Sequence, residues 1–399
     1  MTTEFAKSSN EALEIRLRRI ELDENLLESE EELRLTRPWN PEFTYPIFGT
    51  EEQIYGYKNL RINLDMASGS LRSQLRVSYE GKKDDADNVE DKLEEFIPLE
   101  KGDFDSIVKD DAKEFRPPGE LVTSYTRNSA KSEGKGKGKR RRVETSNGSI
   151  TGEEGDVVYE IYRSSWQTAG WKDFNRRMQF FLLLFIEAAN YLDEDDDNWE
   201  FFTLFERRCR EDGSYAYHFV GYSSLYSFYH FPTGHRQRLS QFLILPPYQR
   251  QGHASELYNS IRSDVLSRQD VIELGVEDPS EAFDILRDIN DLRWLNEMKL
   301  LENKTALDID RQWIEQERKK LKVARRQFLR LIEMLLLHKL DPKNQEQLKR
   351  FRLLVKDRLY RFNYEQLIDL TPEERKAALQ LTYEGVIDNY RDIILKSHV

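Results

Sequence analysis

The 399-residue chain holds a single cysteine, Cys209, which excludes a disulfide framework and any zinc site built on cysteines. Its longest unbroken apolar run, Phe180 to Ile186, falls far short of the roughly 20 residues that a membrane-spanning helix needs. Basic residues are outnumbered, 61 Lys and Arg against 73 Asp and Glu; the net charge of -12 argues against wholesale nucleic-acid binding and tolerates a basic partner. The six histidines (His218, His230, His235, His253, His338 and His398) show no metal-ligand spacing, so no metal is expected. A G-x-S-x-G elbow and internal repeats are also missing. What is abundant is aromatic surface. With 21 Phe, 19 Tyr and 6 Trp the chain should build a sizeable core, and the expectation is a soluble intracellular protein.

Alternation at Leu13, Ile15 and Leu17 predicts a strand with one exposed face. Residues 21–32 carry seven acids and predict a loop or solvated helix. Tyr57 to Leu64 and Leu71 to Val77 read as strands separated by Gly69. Between Asn128 and Asp156 six glycines and, from Lys131 to Arg142, seven basic residues leave few apolar side chains to offset ordering entropy, which predicts a flexible loop. A strand at 157–162, a helix at 172–192 closed by the acidic run Asp193 to Asp197, and strands at 201–205, 217–222 and 238–245 follow. Ala254, Leu257, Tyr258, Ile261 and Val265 recur at helical spacing, and 271–276 is again strand-like. Asp278 as N-cap, Pro279 at the first helical position and Glu281 in a capping box predict the next helix start. Beyond about residue 300 the chain reads as charged and helical, with Pro342 and the Thr371 to Glu374 capping box marking further starts.

The chemistry-bearing motif is Gln249-Arg250-Gln251-Gly252-His253-Ala254, of the form Q/R-x-x-G-x-G/A. A strand precedes it and an amphipathic helix follows. A small-residue turn there presents backbone N–H groups and the positive end of the helix dipole to an anion. Gly252 and Ala254 leave room for a pyrophosphate, Gln249 or Arg250 can add polar contacts, and His253 should face solvent. The plainer reading is a surface strand–helix turn.

This strand–turn–helix–strand order resembles the GNAT superfamily of acetyl-CoA-dependent acyltransferases. Phe43 to Tyr57 (with Ile47-Phe48-Gly49 and Tyr55-Gly56-Tyr57-Lys58), Phe185-Ile186-Glu187, Trp199, Val220-Gly221-Tyr222, Gln241 to Ala254 and Glu277-Asp278-Pro279-Ser280 are similar to type B histone acetyltransferase catalytic subunits. The 128–156 segment looks like an insertion relative to that family, and the C-terminal helices match loosely. The resemblance implies an α+β GNAT fold: a mixed, mostly antiparallel sheet flanked by helices. It implies an N-terminal α/β domain over 1–127, the flexible insert, an acetyl-CoA-binding catalytic domain over 157–298 and a helical domain over 299–399. The implied reaction is acetyl transfer to lysines in the tail of newly made histone four, by direct attack in a ternary complex. A WD-repeat β-propeller histone-binding subunit is the implied partner, direct DNA binding is not expected, and the implied location is cytoplasm and nucleus. Alternatives are another amine substrate, such as a polyamine or a protein N-terminus, or a noncatalytic acidic histone chaperone.

A lysine ammonium of pKa ~10.4 must lose a proton before it attacks a thioester, a task for a carboxylate whose own pKa is raised by burial. The family's bases match Glu277 first, with Asp278 and Glu187 near it; Glu187 is expected on an otherwise apolar helix face beside Phe181, Leu184 and Phe185. The implied acetyl-CoA contacts are Phe242, Leu243 and Ile244, whose backbone N–H groups would polarise the carbonyl, then Gln249, Arg250, Gln251, Gly252, His253, Ala254, Ser255 and Ser280. The tail is expected against Thr50, Glu51, Glu52, Trp199, Tyr226, Ser227 and Phe228.

The insert itself reads Glu133-Gly134-Lys135-Gly136-Lys137-Gly138-Lys139-Arg140-Arg141-Arg142, much like a histone-four tail. It is either a nuclear-import signal, an internal pseudosubstrate acetylated at Lys135, Lys137 or Lys139, or both. Deleting residues 131–142 separates these readings. A pseudosubstrate predicts a lower KM for the tail peptide and loss of acetyl self-labelling, whereas an import signal alone predicts unchanged kinetics.

Overall fold

The computed structural model describes residues 3–27, 29–127 and 157–399, so the insert and its candidate lysines lie outside the described residues. Strand β1 (Leu13–Arg18) alternates buried and half-buried residues as its sequence predicts, pairing parallel with β2 (Arg61–Ala67), which pairs antiparallel with β3 (Ser73–Ser78). The larger sheet runs antiparallel from β4 (Glu120–Thr126) through β5 (Val157–Ser165) and β6 (Trp199–Cys209) to β7 (Tyr215–His230), then to β8 (Gly234–Ile244). Helices α1 (Trp171–Met178) and α2 (Phe180–Phe185) bury Trp171, Phe174, Phe180 and Phe181 among the sheet aromatics Phe201, Phe205 and Phe219. At ~1.5–3 kcal/mol for each large apolar side chain withdrawn from water, this aromatic layer is a major stabilising term.

Residues 1–227 with 239–260 form one compact unit and 228–238 with 261–399 a second. This grouping differs from the four-part division expected: chain on both sides of the insert shares one unit, through the pairing of β4 with β5. In the second unit, β9 (Val271–Val276) lies beside the opening residues of β8, where His235 N–H donates to the Asp270 carbonyl at 2.8 Å. Helix α3 (His253–Ser267) precedes it and α4 (Glu281–Glu297) follows. Four further long helices, α5 (Arg311–Lys320), α6 (Arg325–Lys339), α7 (Gln345–Phe362) and α8 (Pro372–Ser397), enclose Phe328, Leu331, Met334, Val355, Tyr390 and Ile393. The α+β class with a helical C-terminal region is therefore as expected.

Several local expectations are corrected. The helix expected over 172–192 stops at Phe185, because the Leu184 carbonyl accepts from the N–H groups of Glu42 and Phe43, both at 3.0 Å. Ala188 N–H, its helical donor, goes instead to Tyr45 Oη at 2.6 Å. Tyr57 to Leu64 is broken at Asn59 (φ 52), so Tyr57–Lys58 pairs with Gly81–Lys82 while β2 begins at Arg61. The cap of α4 is Ser280, whose Oγ accepts from Phe283 N–H, rather than Asp278. Helix α7 starts from an Asn344 cap, past Pro342, whereas the Thr371 capping box forms as predicted. The acidic stretch 21–32 is not merely solvated: Asp23 is buried in a two-pronged pair with Arg210, at 2.6 and 2.7 Å.

That pair belongs to a wider buried network. Glu206 on β6 accepts from Arg19 at 2.9 and 3.3 Å and from Arg208, and Arg19 also donates to Tyr248 Oη at 2.7 Å. Burial pushes the Glu206 carboxyl up, but the Arg19 and Arg208 guanidiniums overcome this and hold it well below the usual carboxylate range. His218 on β7 is buried nearby, its Nδ1 2.7 Å from Ser68 Oγ; burial first, then Arg19, hold its pKa well below the ordinary imidazole value. The unfolded imidazole takes up a proton below about pH 6.5 and the folded one does not. The unfolded state then binds more protons, and stability falls as pH drops, by at most ~1.4 kcal/mol per pH unit for one group. The urea midpoint should therefore fall between about pH 7.5 and about pH 5.5, with a shallower fall in His218→Gln. Parallel curves for the two proteins would place the dependence elsewhere.

Candidate functional site

Beyond β8 a single 3-10 turn, Pro246–Tyr248, leads into the loop that opens α3. Arg250 (φ 61) and Gly252 (φ 92) both take left-handed backbone, easy for the glycine and costly for the arginine. Side chains hold the loop in this shape: Gln249 Nε2 donates to the Ile244 carbonyl at 3.0 Å, Gln251 Nε2 donates to the Pro247 carbonyl at 2.9 Å, and Gln251 Oε1 accepts from Arg127. The helical ladder opens with Glu256 N–H donating to the Gly252 carbonyl at 3.2 Å, so the N-terminus of α3 begins at His253, Ala254 and Ser255. Arg250 is exposed beside it.

His253 does not face solvent, contrary to expectation. It is 1% exposed, its Nδ1 lies 2.7 Å from Tyr125 Oη, and its ring packs 4.4 Å from Tyr159 and 5.9 Å from Tyr248. The first turn of α3 directs this side chain onto the tyrosines of β4 and β5. No sequence signal near residue 253 could reveal partners so distant along the chain.

On β8, Phe242 is half-buried while Leu243 and Ile244 are buried. Gly221 on β7 approaches them so closely that a Cβ there would stand 2.7 Å from the Leu243 carbonyl oxygen, which only glycine permits. The β6–β7 register shifts beside it, between Leu204 and Phe205.

Of the residues expected to hold a peptide, Trp199 and Tyr226 are directly opposed across β6 and β7, edge to face at 4.8 Å. A hydrogen bond to Asp196 raises the Tyr226 hydroxyl pKa, and Ser227 N–H donates to the Asn198 carbonyl at 2.9 Å. Thr50 and Glu51 are exposed, with Glu51 accepting from Tyr55 Oη at 3.0 Å. Glu52 is committed elsewhere. Its carboxylate accepts from the Thr44 and Tyr45 N–H groups at 2.6 and 3.1 Å and from Asn10 at 3.0 Å, anchoring the short helix Tyr45–Phe48. Glu187 was expected on a buried helix face, but it lies past the end of α2 and is exposed.

In the second unit Glu277 and Asp278 are exposed just beyond β9, Asp278 with φ 32, and Ser280 is occupied in capping α4. Arg238, which no sequence motif singles out, lies 4.3 Å over the Phe228 ring and reaches Glu277 at 3.4 Å. Among the described residues no group of three or more His, Cys, Asp or Glu could hold a metal ion. No described helix is long and apolar enough to cross a membrane.

Residues 5–187 match the family described as histone acetyl transferase HAT1 N-terminus, and residues 288–341 match the fungal HAT1 C-terminal family. The histone acetyltransferase type B catalytic subunit of Cryptococcus neoformans is 45% identical over 408 residues, covering 98% of this chain and 97% of that protein. The chain belongs to the type B histone acetyltransferase catalytic subunit family. It is accordingly an acetyltransferase. Family members of the same description from Mycosarcoma maydis and Rattus norvegicus are 44% and 29% identical, covering 90% and 98% of this chain and 83% and 93% of theirs. Among solved structures, an aminoglycoside acetyltransferase from an uncultured soil metagenomic sample aligns at TM-score 0.24 and 15% identity, over 32% of this chain and 85% of its own, too slight a likeness to bear on the fold.

The two neighbouring acids of this family member, Glu51 and Glu52, should behave differently. Glu52→Ala strands the Thr44 and Tyr45 N–H groups and should cost ~1–3 kcal/mol of stability in urea unfolding, whereas Glu51→Ala should stay within ~0.5 kcal/mol of wild type. Equal effects would contradict the assignment of Glu52 as an anchor.

Proposed function

We propose that the enzyme transfers the acetyl group of acetyl-CoA to lysines in the tail of newly made histone four, by direct attack within a ternary complex. The supporting observation is the turn at 249–252, where left-handed Arg250 and Gly252 precede the N-terminus of the 15-residue helix α3. Such a turn and helix end suit a pyrophosphate, and exposed Arg250 adds positive charge. Acetyl-CoA, when bound, supplies the acetyl thioester. The backbone N–H groups of Phe242, Leu243 and Ile244 are the proposed donors to its carbonyl. Glu277 is the proposed base that takes the proton from the lysine ammonium, with Asp278 and Glu187 as alternates; the burial expected of the base is not met at Glu277, and its exposure instead leaves it open to a substrate side chain. Ala254, Ser255 and Ser280 stay in the proposed acetyl-CoA set, whereas Gln249, Gln251 and His253 serve by holding the loop and the start of α3.

For the tail we propose the exposed Glu51 and Thr50 together with Trp199, Tyr226, Ser227 and Phe228. Their mixture of acid and aromatic groups suits a basic, glycine-rich peptide. A WD-repeat β-propeller histone-binding subunit remains the proposed partner, and cytoplasm and nucleus the proposed locations. The second chemical reading, a different amine substrate, is separated by comparing turnover on a histone-four tail peptide with turnover on a polyamine.

Glu277→Gln should lower kcat on the tail peptide by ~10²–10⁴-fold with acetyl-CoA affinity unchanged, and the loss should shrink at high pH, where more of the amine is neutral. Near-wild-type kcat at neutral pH would transfer the role to Glu187, tested by Glu187→Gln. In the same series Gly252→Asp, which places a carboxylate in a left-handed position beside the helix end, should abolish acetyl-CoA binding in calorimetry while the protein stays folded. Unchanged affinity would remove this loop from the cofactor site.

A further inference from the structure

The second unit carries a groove of about 950 Å³ among α5, α6 and α7, helices that supply none of the proposed catalytic, acetyl-CoA or tail residues. Its floor is apolar: Ile309, Ile314, Leu329, Leu353, Leu354 and Phe362. Two of these side chains stand well out in solvent, Leu353 at 49% and Phe362 at 60% exposure. On α7 the lining residues Arg350, Leu353, Leu354, Asp357, Arg358, Arg361 and Phe362 recur at i, i+3, i+4, i+7, i+8, i+11 and i+12. This is one continuous helix face, about 18 Å long at ~1.5 Å per residue, or just over three turns.

The rim is cationic. Six arginines line the groove against three acids, and the acids are already engaged. Glu333 is held by Arg358 at 2.8 and 2.9 Å and by Tyr390 at 2.8 Å. Asp357 pairs with Arg361 at 2.8 Å, and Asp310 caps α5 by accepting from Trp313 N–H at 2.8 Å. Arg325 shares Glu315 with Arg318. Arg326 lies 4.5 Å over the Phe362 ring, with no carboxylate partner among the described residues. Arg311 and Arg350 are exposed and make no ion pair among the described residues. An apolar trough thus sits under guanidiniums whose charge is not neutralised, on a chain whose net charge is -12.

We propose that this groove binds an amphipathic, acidic α-helix of a partner protein, its apolar stripe on Leu353, Leu354 and Phe362 and its carboxylates against Arg311, Arg326 and Arg350. The charge complementarity selects an acidic occupant, and it disfavours the chain's own insert, whose run from Lys131 to Arg142 is basic. A helix fits better than a strand, because none of the lining residues lies in a strand, leaving no strand edge to complete an extended peptide's hydrogen bonds. The apolar floor separates this site from a phosphate-binding surface, which would need the arginines alone.

The test is fluorescence anisotropy of the full chain with a labelled helical probe of about 18 residues, leucine on one face and glutamate elsewhere. Saturable binding is expected. Phe362→Glu and Leu353→Glu should each weaken it by ~10-fold or more, as removal of a central anchor does. The pair Arg311→Glu with Arg350→Glu should weaken it similarly and flatten its salt dependence, with thermal unfolding unaltered because these side chains are exposed. Equal affinity in the variants would overturn the proposal. So would equal binding of a probe with its leucines replaced by glutamine, displacement of the probe by duplex DNA at lower concentration than by unlabelled probe, or a dimer of the chain that Phe362→Glu dissociates.

Discussion

The first unit depends on one buried carboxylate. Glu206 sits on the central strand β6 with no exposed side-chain surface, and it is tolerated there only because Arg19 and Arg208 close on it. Removing one member of such a buried pair leaves an uncompensated charge, with a typical cost of ~3–5 kcal/mol. What the pairing contributes is position. Arg19 follows β1 directly, Arg208 also reaches Glu32 at 2.7 Å, and Arg210 on the same stretch holds Asp23. Segments nearly two hundred residues apart in sequence are thereby tied to one strand, although an apolar core alone would leave them free to slide.

The same network extends toward the loop at 249–252. Arg19 donates to Tyr248, the last residue of the 3-10 turn before Gln249, and Tyr248 packs against His253 at the start of α3. Tyr125 and Tyr159 close the other side of that imidazole. A loop carrying two left-handed residues would drift if its flanks were mobile. Here both flanks are held by buried hydrogen bonds, so the backbone N–H groups it presents are preorganised. The tightly packed aromatic surroundings also explain why a histidine sits in a position that the short motif leaves open.

The second unit uses the same device on helices. Glu333 on α6 is gripped by Arg358 of α7 and Tyr390 of α8, and Asp288 of α4 accepts from Gln327 and Arg330 of α6. Burial pushes the Asp288 carboxyl up despite Arg330. These directional links fix the angular register of helices whose apolar faces alone would pack in several ways. They also use up the acids near α6 and α7, so the remaining guanidiniums face solvent over an apolar trough.

Local rules were enough wherever a few adjacent residues decided the outcome. Period-two alternation placed β1, the strand at 271–276 came out with the ends its side chains imply, and Thr371-Pro372-Glu373-Glu374 made its capping box. The composition of Gln249 to Ala254 was likewise sufficient to read a turn opening a helix, since glycine and helix spacing act within a few residues. Where distant groups compete, the sequence could not say which would win. The Leu184 carbonyl accepts N–H groups from Glu42 and Phe43, and this ends α2 and leaves Glu187 exposed despite an apolar run. Glu51 and Glu52 are chemically alike in the sequence, yet only Glu52 meets the Thr44 and Tyr45 amides. Arg238 acquires its place over Phe228 and beside Glu277, and His253 its burial, from strand neighbours that no local pattern names. Helix and turn formation are decided over a few residues, whereas a buried polar group must find its partner in three dimensions; the sequence by itself therefore determined the elements and the family motif, and only the tertiary structure decided which charged side chains remain available for chemistry.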